Sequence, residues 1–317
     1  MSDRVHVVAG VLRDAQARVL LAQRPQGKDH AGLWEFPGGK CEPGEEPRDA
    51  LRRELREELA IDAGAIEPLI AIPWRYAEKY IFLDVYNVNG YTGLPRGHEG
   101  QVLRWIPMQQ LPFVAMPAAD RPVATALRLP RRYAITPEPA NDSDFLTSAQ
   151  TLLHTGSITL LQLRSKRSEI AVLRSVAGAM RDLARASGAG LMLNDHADLV
   201  EELALDGVHL SAARLMECRI RPLPADKWVA ASCHDADELA HAAQIGVDFA
   251  VLGPVNATAS HAHAAVLGWS RFAELCAQAP FPVYALGGLR EADLPAAIAA
   301  GAQGIAGISG FWPAGVG

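Results

Sequence analysis

The sequence has little of what marks a secreted, membrane-spanning or nucleic-acid-binding protein. Its 317 residues include only four cysteines, which are far apart and show neither a paired zinc spacing nor a disulfide framework, so we expect reduced thiols. No stretch of about 18 uninterrupted apolar residues occurs, which argues against a membrane partner. The formal net charge is −6, whereas surfaces that hold nucleic acid are basic. We therefore expect a cytoplasmic protein that binds neither membrane nor nucleic acid.

The length and the order of predicted elements favour two α/β domains. A chain of 317 residues with 49% hydrophobic and 21% charged residues suits two globular cores. The first part shows predicted strands, a helix over Pro47–Leu59 and a closing helix over Ala118–Leu127. From Tyr133 onward, eight short apolar runs alternate with helix-length segments, which predicts a compact (β/α)₈ TIM barrel. We predict domains of residues 1–130 and 131–317.

The strongest chemical pattern lies on the predicted first helix. Glu54, Glu57 and Glu58 stand at i, i+3 and i+4, so their carboxylates share one arc of the helix. Such like charges repel unless a cation holds them together, and hard oxygen ligands favour Mg²⁺, or Mn²⁺, over Zn²⁺. The ordinary alternative is a solvated helix face with intrahelical ion pairs. Three further residues in the same register weigh against that alternative: Gly39, Glu45 and Arg53.

These residues resemble the Nudix box, which runs here from Gly39 to Ile61 with Ala60 in place of the usual glycine. The resemblance implies an α/β/α sandwich with a mixed sheet and a Mg²⁺-dependent hydrolase. It implies that Glu54, Glu57 and Glu58 bind the metal and that Glu54 is also catalytic. Two more catalytic residues follow from it: Arg53, which orients a carboxylate, and Glu45, which supports the loop or a second ion. The Gly38 carbonyl is a further candidate ligand, because the glycine pair lets the backbone come close.

Three more segments are similar to the MutT branch of this family in order and spacing: EFPGGK at 35–40, HEGQ at 98–101 and MPAADRPV at 116–123. The resemblance implies hydrolysis of a nucleoside triphosphate, 8-oxo-dGTP above all, to a monophosphate and pyrophosphate. Glu99 matches the distal glutamate of the branch, which is a metal ligand or general base. Arg24, Phe36 and Asp120 are expected near the nucleotide.

Asp120 departs from the branch pattern, which has an asparagine at this position to read the base. An amide accepts from N7–H of 8-oxoguanine and donates to O6, whereas an ionised carboxylate only accepts. The identity of the base therefore depends on Asp120. The alternative is that Asp120 only caps the helix that follows it.

Polar or glycine residues follow the predicted barrel strands, and His209 is among them. The series resembles thiamine phosphate synthase and its relative, the thiazole tautomerase TenI, across Tyr133–Phe311. The resemblance implies a phosphate cradle after the last two strands, a basic pair that faces a pyrophosphate, and Mg²⁺ at Asp195. The expected ligand-binding residues are Gln162, Arg164, Lys166, Asn194, Asp195, Ser232, His234, Gly287, Gly288 and Ser309.

Two departures bear on the activity of the barrel. Arg214 stands where the synthase pattern has an acidic magnesium ligand, and Thr258–His261 replaces the family's Thr-x-Thr-Lys. A reaction that releases pyrophosphate needs its charge neutralised, so we expect a barrel without synthase activity that binds a thiamine-related phosphate or only stabilises the chain. His234 matches a histidine that resembles the acid–base group of the tautomerase, and the alternative is a polar surface residue.

Three hypotheses for the whole chain remain open. The first is a nucleotide-sanitising hydrolase with a degenerate barrel. The second is a bifunctional enzyme, with an active synthase or tautomerase barrel and a Nudix half that acts on thiamine-like pyrophosphates. The third is a hydrolase regulated by a sensing barrel. The HEGQ and MPAAD segments favour the first.

Overall fold

The protein divides into two compact units, Met1–Arg128 and Leu129–Gly317. The structure is a computed structural model. It describes residues 4–27, 29–77, 79–98, 100–139, 143–165, 168–257 and 265–312. No helix in these ranges has the length and apolar character needed to cross a bilayer.

The described part of the N-terminal unit contains two sheets, a 3-10 helix (Met108–Phe113) and two α-helices, α1 (Pro47–Leu59) and α2 (Arg121–Arg128). Its strands are β1 (Arg4–Leu12), β2 (Val19–Gln23), β3 (Trp34–Glu35), β4 (Gly38–Lys40), β5 (Asp62–Arg75), β6 (Tyr80–Thr92) and β7 (Leu103–Ile106). One sheet has the order β4-β1-β6-β5 and the other the order β3-β2-β7. The first sheet is mixed, because β1 runs parallel to β6 and antiparallel to β4.

The alternation of side chains along β1 places one helix on each face of the sheet. Val8 belongs to the buried cluster that contains Leu51 and Leu55 of α1. Its neighbour Ala9 belongs to the other cluster, which contains Val123 of α2. The predicted α/β/α sandwich with a mixed sheet is therefore confirmed.

Helix α1 has the bounds that the sequence predicts, because Leu51, Leu55 and Leu59 recur every four residues and are all buried. Pro47 stands in the first turn, where its missing N–H costs nothing. The helix ends at Ala60, which takes the usual glycine's place with a φ of +56°. Its N–H donates to the Arg56 carbonyl, so the left-handed cap forms without glycine.

The C-terminal unit is a closed barrel of eight parallel strands, as predicted. The strands are β8 (Arg132–Ile135), β9 (Leu160–Leu163), β10 (Gly190–Asn194), β11 (Gly207–Leu210), β12 (Trp228–Cys233), β13 (Phe249–Leu252), β14 (Val283–Leu286) and β15 (Gly304–Gly307). The helices are α3 (Ser143–His154), α4 (Ile170–Ala186), α5 (Ala197–Glu202), α6 (Ala212–Glu217), α7 (Ala236–Ile245), α8 (Gly268–Cys276) and α9 (Leu294–Ala299).

Aromatic rings fill the middle of the barrel. Tyr133 packs edge-on against Phe249 with ring centroids 5.4 Å apart and lies 5.6 Å from Tyr284. Phe249 and Tyr284 are also 5.6 Å apart, so the three rings form one buried layer. Polar side chains from the same strands lie nearer their carboxyl ends, where TIM barrels place their chemistry.

The structure differs from the sequence prediction at helix α2 and at three strands that were not predicted, β3, β4 and β5. Helix α2 begins at Arg121 and not at Ala118, because the Asp120 N–H closes a turn onto the Pro117 carbonyl. Strand β5 was not predicted, since Pro68 and Pro73 interrupt its pattern. It lies at the edge of its sheet and has a register shift after Pro68, which is where prolines are tolerated in strands.

We predict that Phe249→Ala lowers the free energy of unfolding of the barrel by about 3 to 5 kcal/mol, because it leaves a cavity between the two tyrosine rings. Ile220→Ala is the control, since Ile220 is also in the barrel unit but is 78% exposed. It should change stability by less than about 0.5 kcal/mol. Hydrogen exchange of the strand amides under native conditions measures both. Equal effects of the two variants would contradict the assignment of the aromatic layer to the core.

Candidate functional site

Arg53 lies at the centre of a group of carboxylates on α1 and the loop before it. Its Nε and Nη2 each donate to Glu45 over 2.9 Å, one to each carboxylate oxygen. Its Nη1 donates to Glu54 over 2.9 Å and to Glu57 over 3.2 Å. Nη2 also donates to the Lys40 carbonyl, which ties the guanidinium to β4. One side chain thus orients three of the predicted acids.

The charges of this group stabilise each other. The Arg53 hydrogen bonds, helped by the Glu42 N–H, lower the pKa of Glu45 to about 2. Glu45 and Glu54 in turn raise the pKa of Arg53 above its usual range. Both residues are therefore charged across the neutral pH range. Because Glu45 also accepts from the Glu42 N–H over 2.9 Å, it holds the loop that leads into α1.

The glycine pair before this loop lies directly against two of the acids. Gly38 has a φ of +151°, and its N–H donates to Glu58 Oε2 over 3.2 Å. A Cβ atom on Gly39 would lie only 2.3 Å from the Glu54 carboxylate. The absence of a side chain at both positions therefore lets β4 and α1 bring the Glu54 and Glu58 oxygens to the same stretch of backbone.

The donors at this stretch are hard oxygens, which is the set that Mg²⁺ prefers, so the residues fit that ion by chemical type. In the described ranges no three His, Cys, Asp or Glu side chains are already grouped closely enough to hold a metal. Glu57 instead contacts Arg53. Glu99 lies outside the described residues, so its role stays a prediction. Two described residues near it contact the Glu58 carbonyl. The His98 backbone N–H donates to it over 2.9 Å, and the Gln101 side-chain amide donates to it over 3.3 Å.

The predicted nucleotide-binding residues lie together at a second group of polar side chains. The Arg24 guanidinium forms an ion pair with Glu35 on β3 and donates to the Asp29 carbonyl over 2.6 Å. The Phe36 N–H donates to Asp120 Oδ1 over 3.3 Å, across 84 residues of sequence. The structure thus brings Arg24, Phe36 and Asp120 to one region.

Asp120 is almost fully buried, with 7% of its surface exposed. Burial, followed by the charge of Glu35, raises the pKa of Asp120 to about 7, although the Phe36 N–H and Arg24 lower it. The carboxyl group therefore changes from neutral to ionised within the neutral pH range. A neutral carboxyl both donates and accepts, as an amide does.

Three further residues of this region, Glu35, His30 and Tyr76, were not predicted as site residues. The Tyr76 hydroxyl accepts from the Ala119 N–H over 3.4 Å, and the Tyr76 ring lies 5.2 Å from His30. Tyr76 directly follows the unpredicted strand β5, so no pattern pointed to it. Glu35 belongs to the EFPGGK motif, but the sequence does not show that it pairs with Arg24.

Four of the residues at the carboxyl ends of the barrel strands form one hydrogen-bonded chain. Gln162 Nε2 donates to Asn194 Oδ1 over 2.8 Å, and Asn194 Nδ2 donates to Asp195 Oδ2 over 2.8 Å. Asp195 Oδ1 accepts from the Ser211 N–H over 2.6 Å. Three predicted ligand-binding residues, Gln162, Asn194 and Asp195, are thus joined to each other.

His209 forms a second chain and is fully buried. Its Nδ1 lies 3.1 Å from the Tyr133 hydroxyl, and its Nε2 lies 2.8 Å from Ser232 Oγ. Burial, with a smaller effect of Arg164, lowers the pKa of His209 to about 3, so the imidazole is neutral at neutral pH. In the sequence, His209 was notable only for its position at the end of a predicted strand, and no pattern connected it with Ser232.

The remaining barrel residues have separate surroundings. The Arg164 N–H donates to Thr136 Oγ1 over 2.9 Å, and His234 Nδ1 lies 2.9 Å from Glu238 on an exposed helix turn. Gly287 and Gly288 have φ angles of +113° and +61°, and Ser309 lies in an exposed turn. Lys166 and the segment 258–261 lie outside the described residues.

Comparisons with known proteins follow the same division of the chain. The family model described as NUDIX domain matches residues 3–127, and the model described as Thiamine monophosphate synthase matches residues 132–311. A CTP pyrophosphohydrolase of Escherichia coli is 39% identical over 122 residues, which are 38% of this chain and 90% of the relative. An 8-oxo-dGTP diphosphatase of Haemophilus influenzae is 39% identical over 116 residues, 37% of this chain and 85% of the relative.

The barrel has its own relatives. A thiamine-phosphate synthase of Chromobacterium violaceum is 35% identical over 190 residues, which are 57% of this chain and 88% of the relative. The matches meet at the boundary between the two units, so each unit has a family of its own. The chain is therefore a fusion that belongs to the Nudix hydrolases through its N-terminal part and to the thiamine monophosphate synthase family through its C-terminal part.

Proposed function

We propose that the N-terminal domain is a Mg²⁺-dependent pyrophosphohydrolase that cleaves a nucleoside triphosphate to a monophosphate and pyrophosphate. The observation that supports this proposal most is the Arg53 guanidinium, which contacts Glu45, Glu54 and Glu57 at once beside the glycine pair. On an ordinary solvent-exposed helix face the acidic side chains point into water. Here they lie against the glycine pair.

We assign each residue of this group a role in the proposed reaction. We propose that Glu54 and Glu58 hold the metal, together with Glu57, Gly38 and Glu99. When bound, Mg²⁺ would polarise phosphate oxygens and neutralise the negative charge that develops on the triphosphate as it is cleaved. Arg53 orients the carboxylates of Glu54 and Glu57 through its hydrogen bonds. Glu45 keeps Arg53 in place and ties it to the loop at Glu42.

The base is read, in this proposal, by Asp120 with Arg24 and Phe36 nearby. A neutral Asp120 offers a donor beside an acceptor, which fits the N7–H and O6 edge of 8-oxoguanine. The same pattern fits the amino group and ring nitrogen of cytosine. The 8-oxo-dGTP diphosphatase relative supports the first substrate. The CTP pyrophosphohydrolase relative and the carboxyl group at position 120 make CTP the second candidate.

We predict that Glu54→Gln lowers kcat by about 100-fold or more with little loss of stability, because the change removes metal-binding charge from a partly exposed arc. Glu67→Gln is the matched control, since Glu67 is an exposed acid on β5. Pyrophosphate release from 8-oxo-dGTP and CTP under limiting Mg²⁺ measures both variants. A Glu54→Gln variant as active as the control would show that the metal assignment is wrong.

We predict that Gly39→Ala lowers kcat by about 10- to 100-fold, because the new methyl group displaces the Glu54 carboxylate that it would touch at 2.3 Å. Gly178→Ala is the control, since a Cβ there meets nothing within 4 Å. Gly178 lies within α4, so this control should keep full activity and gain up to about 1 kcal/mol in stability. The proposal fails if Gly39→Ala folds and retains wild-type turnover.

We predict that kcat/KM for 8-oxo-dGTP, divided at each pH by the value for Asp120→Asn, falls as the pH rises through about 7, because Asp120 then loses the proton that it donates to O6. The amide of the variant keeps its donor at every pH, and the division removes the pH effects that the two proteins share. At about pH 8 the variant should exceed the wild-type kcat/KM by roughly 5- to 150-fold, the value of one buried hydrogen bond. The two proteins should agree at about pH 6, which serves as the internal control. A wild-type to variant ratio that does not change with pH would exclude this role.

A further inference from the structure

A row of three paired residues crosses the first sheet of the N-terminal unit. Asp84 on β6 pairs with Val8 on β1, and Val8 pairs with Gly39 on β4. Because neighbouring strands lie about 4.8 Å apart, Asp84 and Gly39 are about 10 Å apart across the sheet. The Glu54 carboxylate lies 2.3 Å from the position that a Gly39 Cβ would take. A further acid thus stands two strands away from a proposed metal ligand.

Asp84 and the Glu54 carboxylate lie on the same face of this sheet. Side chains alternate along a strand, so Asp84 shares its face with Tyr86. Tyr86 and Val8 belong to the buried cluster that contains Leu51 of α1, the helix that also carries Glu54. Val8 is fully buried and stands between the two acids in the row. Apolar packing screens two charges less than water does, so a charge on Asp84 acts on the metal site.

The contacts of Asp84 favour its ionised form. The Tyr86 hydroxyl donates to Asp84 Oδ2 over 2.5 Å, and His6 Nε2 lies 3.6 Å from the same oxygen. Burial raises the pKa of Asp84, whereas the Tyr86 hydrogen bond, His6 and the charge of Arg48 lower it. Only 19% of the Asp84 side chain is exposed. A carboxylate is therefore held beneath α1 by groups that stabilise its negative charge.

Four charged or titratable side chains face Asp84, from each element around it that carries such a group: His6 on β1, Tyr86 on β6, Arg48 on α1 and Cys41 directly after β4. Burial, followed by Asp84, raises the pKa of Tyr86 above its usual range. Burial, followed by the charges of Glu45 and Asp84, raises the pKa of Cys41. Both groups are therefore neutral at neutral pH, and an arginine is always charged. Among these four, histidine is the residue type that changes charge between about pH 5 and 8.

His6 is placed to compensate the charge of Asp84. Its Nε2 is shielded from solvent and has no hydrogen-bond partner among the described residues. Its ring packs edge-on against Phe82, with ring centroids 5.3 Å apart. Its carbonyl accepts from the Cys41 N–H over 3.0 Å, which fixes the backbone beside β4. A protonated His6 thus makes the pair neutral as a whole, and a neutral His6 leaves one negative charge on Asp84.

We propose that His6 and Asp84 form an ionisable pair that sets the affinity of the carboxylate site on α1 for its divalent metal. An added negative charge attracts a divalent cation, so the affinity rises when His6 loses its proton. Both are positioning residues, because they act on the site through their charge and touch neither the substrate nor the metal. The inference rests on the proposed function, since it requires that a metal binds at Glu54.

The test is the binding of Mn²⁺ to the full chain without substrate, followed by electron paramagnetic resonance at about pH 6 and about pH 8. His6→Gln removes the titratable group and keeps the charge of Asp84, and Asp84→Asn removes that charge. His154→Gln and Glu67→Gln are the matched controls, because His154 is exposed at the end of α3 and Glu67 is an exposed acid on β5. Glu54→Gln identifies the binding that belongs to the candidate site.

We expect His6→Gln to bind Mn²⁺ about three- to tenfold more tightly than the wild type at about pH 6, and equally tightly at about pH 8. Asp84→Asn should bind Mn²⁺ about three- to tenfold more weakly than the wild type at about pH 8. The two control variants should keep the wild-type affinity at both pH values. A purely structural effect of His6→Gln would be the same at both.

The proposal is overturned if His6→Gln and the wild type bind Mn²⁺ equally at the lower pH, or if they differ by the same factor at both. It is also overturned if Asp84→Asn keeps the wild-type affinity at the higher pH. When Glu54→Gln abolishes the binding, such results concern this inference alone. Binding that Glu54→Gln leaves unchanged would contradict the metal assignment itself, and this inference with it.

Discussion

The N-terminal site depends on the contacts of one guanidinium with the carboxylates around it. Glu45, Glu54 and Glu57 would repel each other so close to the glycine pair, and Arg53 compensates that repulsion with four hydrogen bonds to their oxygens. The same side chain reaches the Lys40 carbonyl, so it also fixes α1 against β4. The backbone comes close to these acids at Gly38 and Gly39, where no side chain fits. The site therefore depends both on the positive charge of Arg53 and on the absence of Cβ atoms at Gly38 and Gly39.

In the barrel, the need of buried polar groups for hydrogen-bond partners determines how the side chains are oriented. Buried polar groups are costly without a partner, and a carboxylate at the end of a hydrogen-bonded chain only accepts, so it decides the direction of the amides that follow. Asp195 decides the direction of Asn194 and Gln162. The two ring nitrogens of His209 lie within hydrogen-bond distance of Tyr133 and Ser232. The family resemblance names most of these residues, but the directions of their hydrogen bonds follow only from the structure.

The sequence prediction was accurate where the hydrophobic residues of a segment follow one clear pattern. The leucines at 51, 55 and 59 define α1, and short apolar runs define the barrel strands, so both were predicted closely. Strand β5 was missed because its prolines are acceptable only at a sheet edge, and edge position is a property of the whole sheet. The raised pKa of Asp120 and the pairing of Arg24 with Glu35 depend on burial and on distant segments. Neither effect has a signature in a single sequence.

The most direct test of the central claim is a product assay of the full chain over a panel of substrates with Mg²⁺. The panel consists of 8-oxo-dGTP, dGTP, CTP, UTP and thiamine diphosphate. We predict that at least one of the nucleotides releases pyrophosphate and a monophosphate, and that EDTA abolishes the release. The account would be contradicted if none of the nucleotides were cleaved, or if thiamine diphosphate alone were hydrolysed.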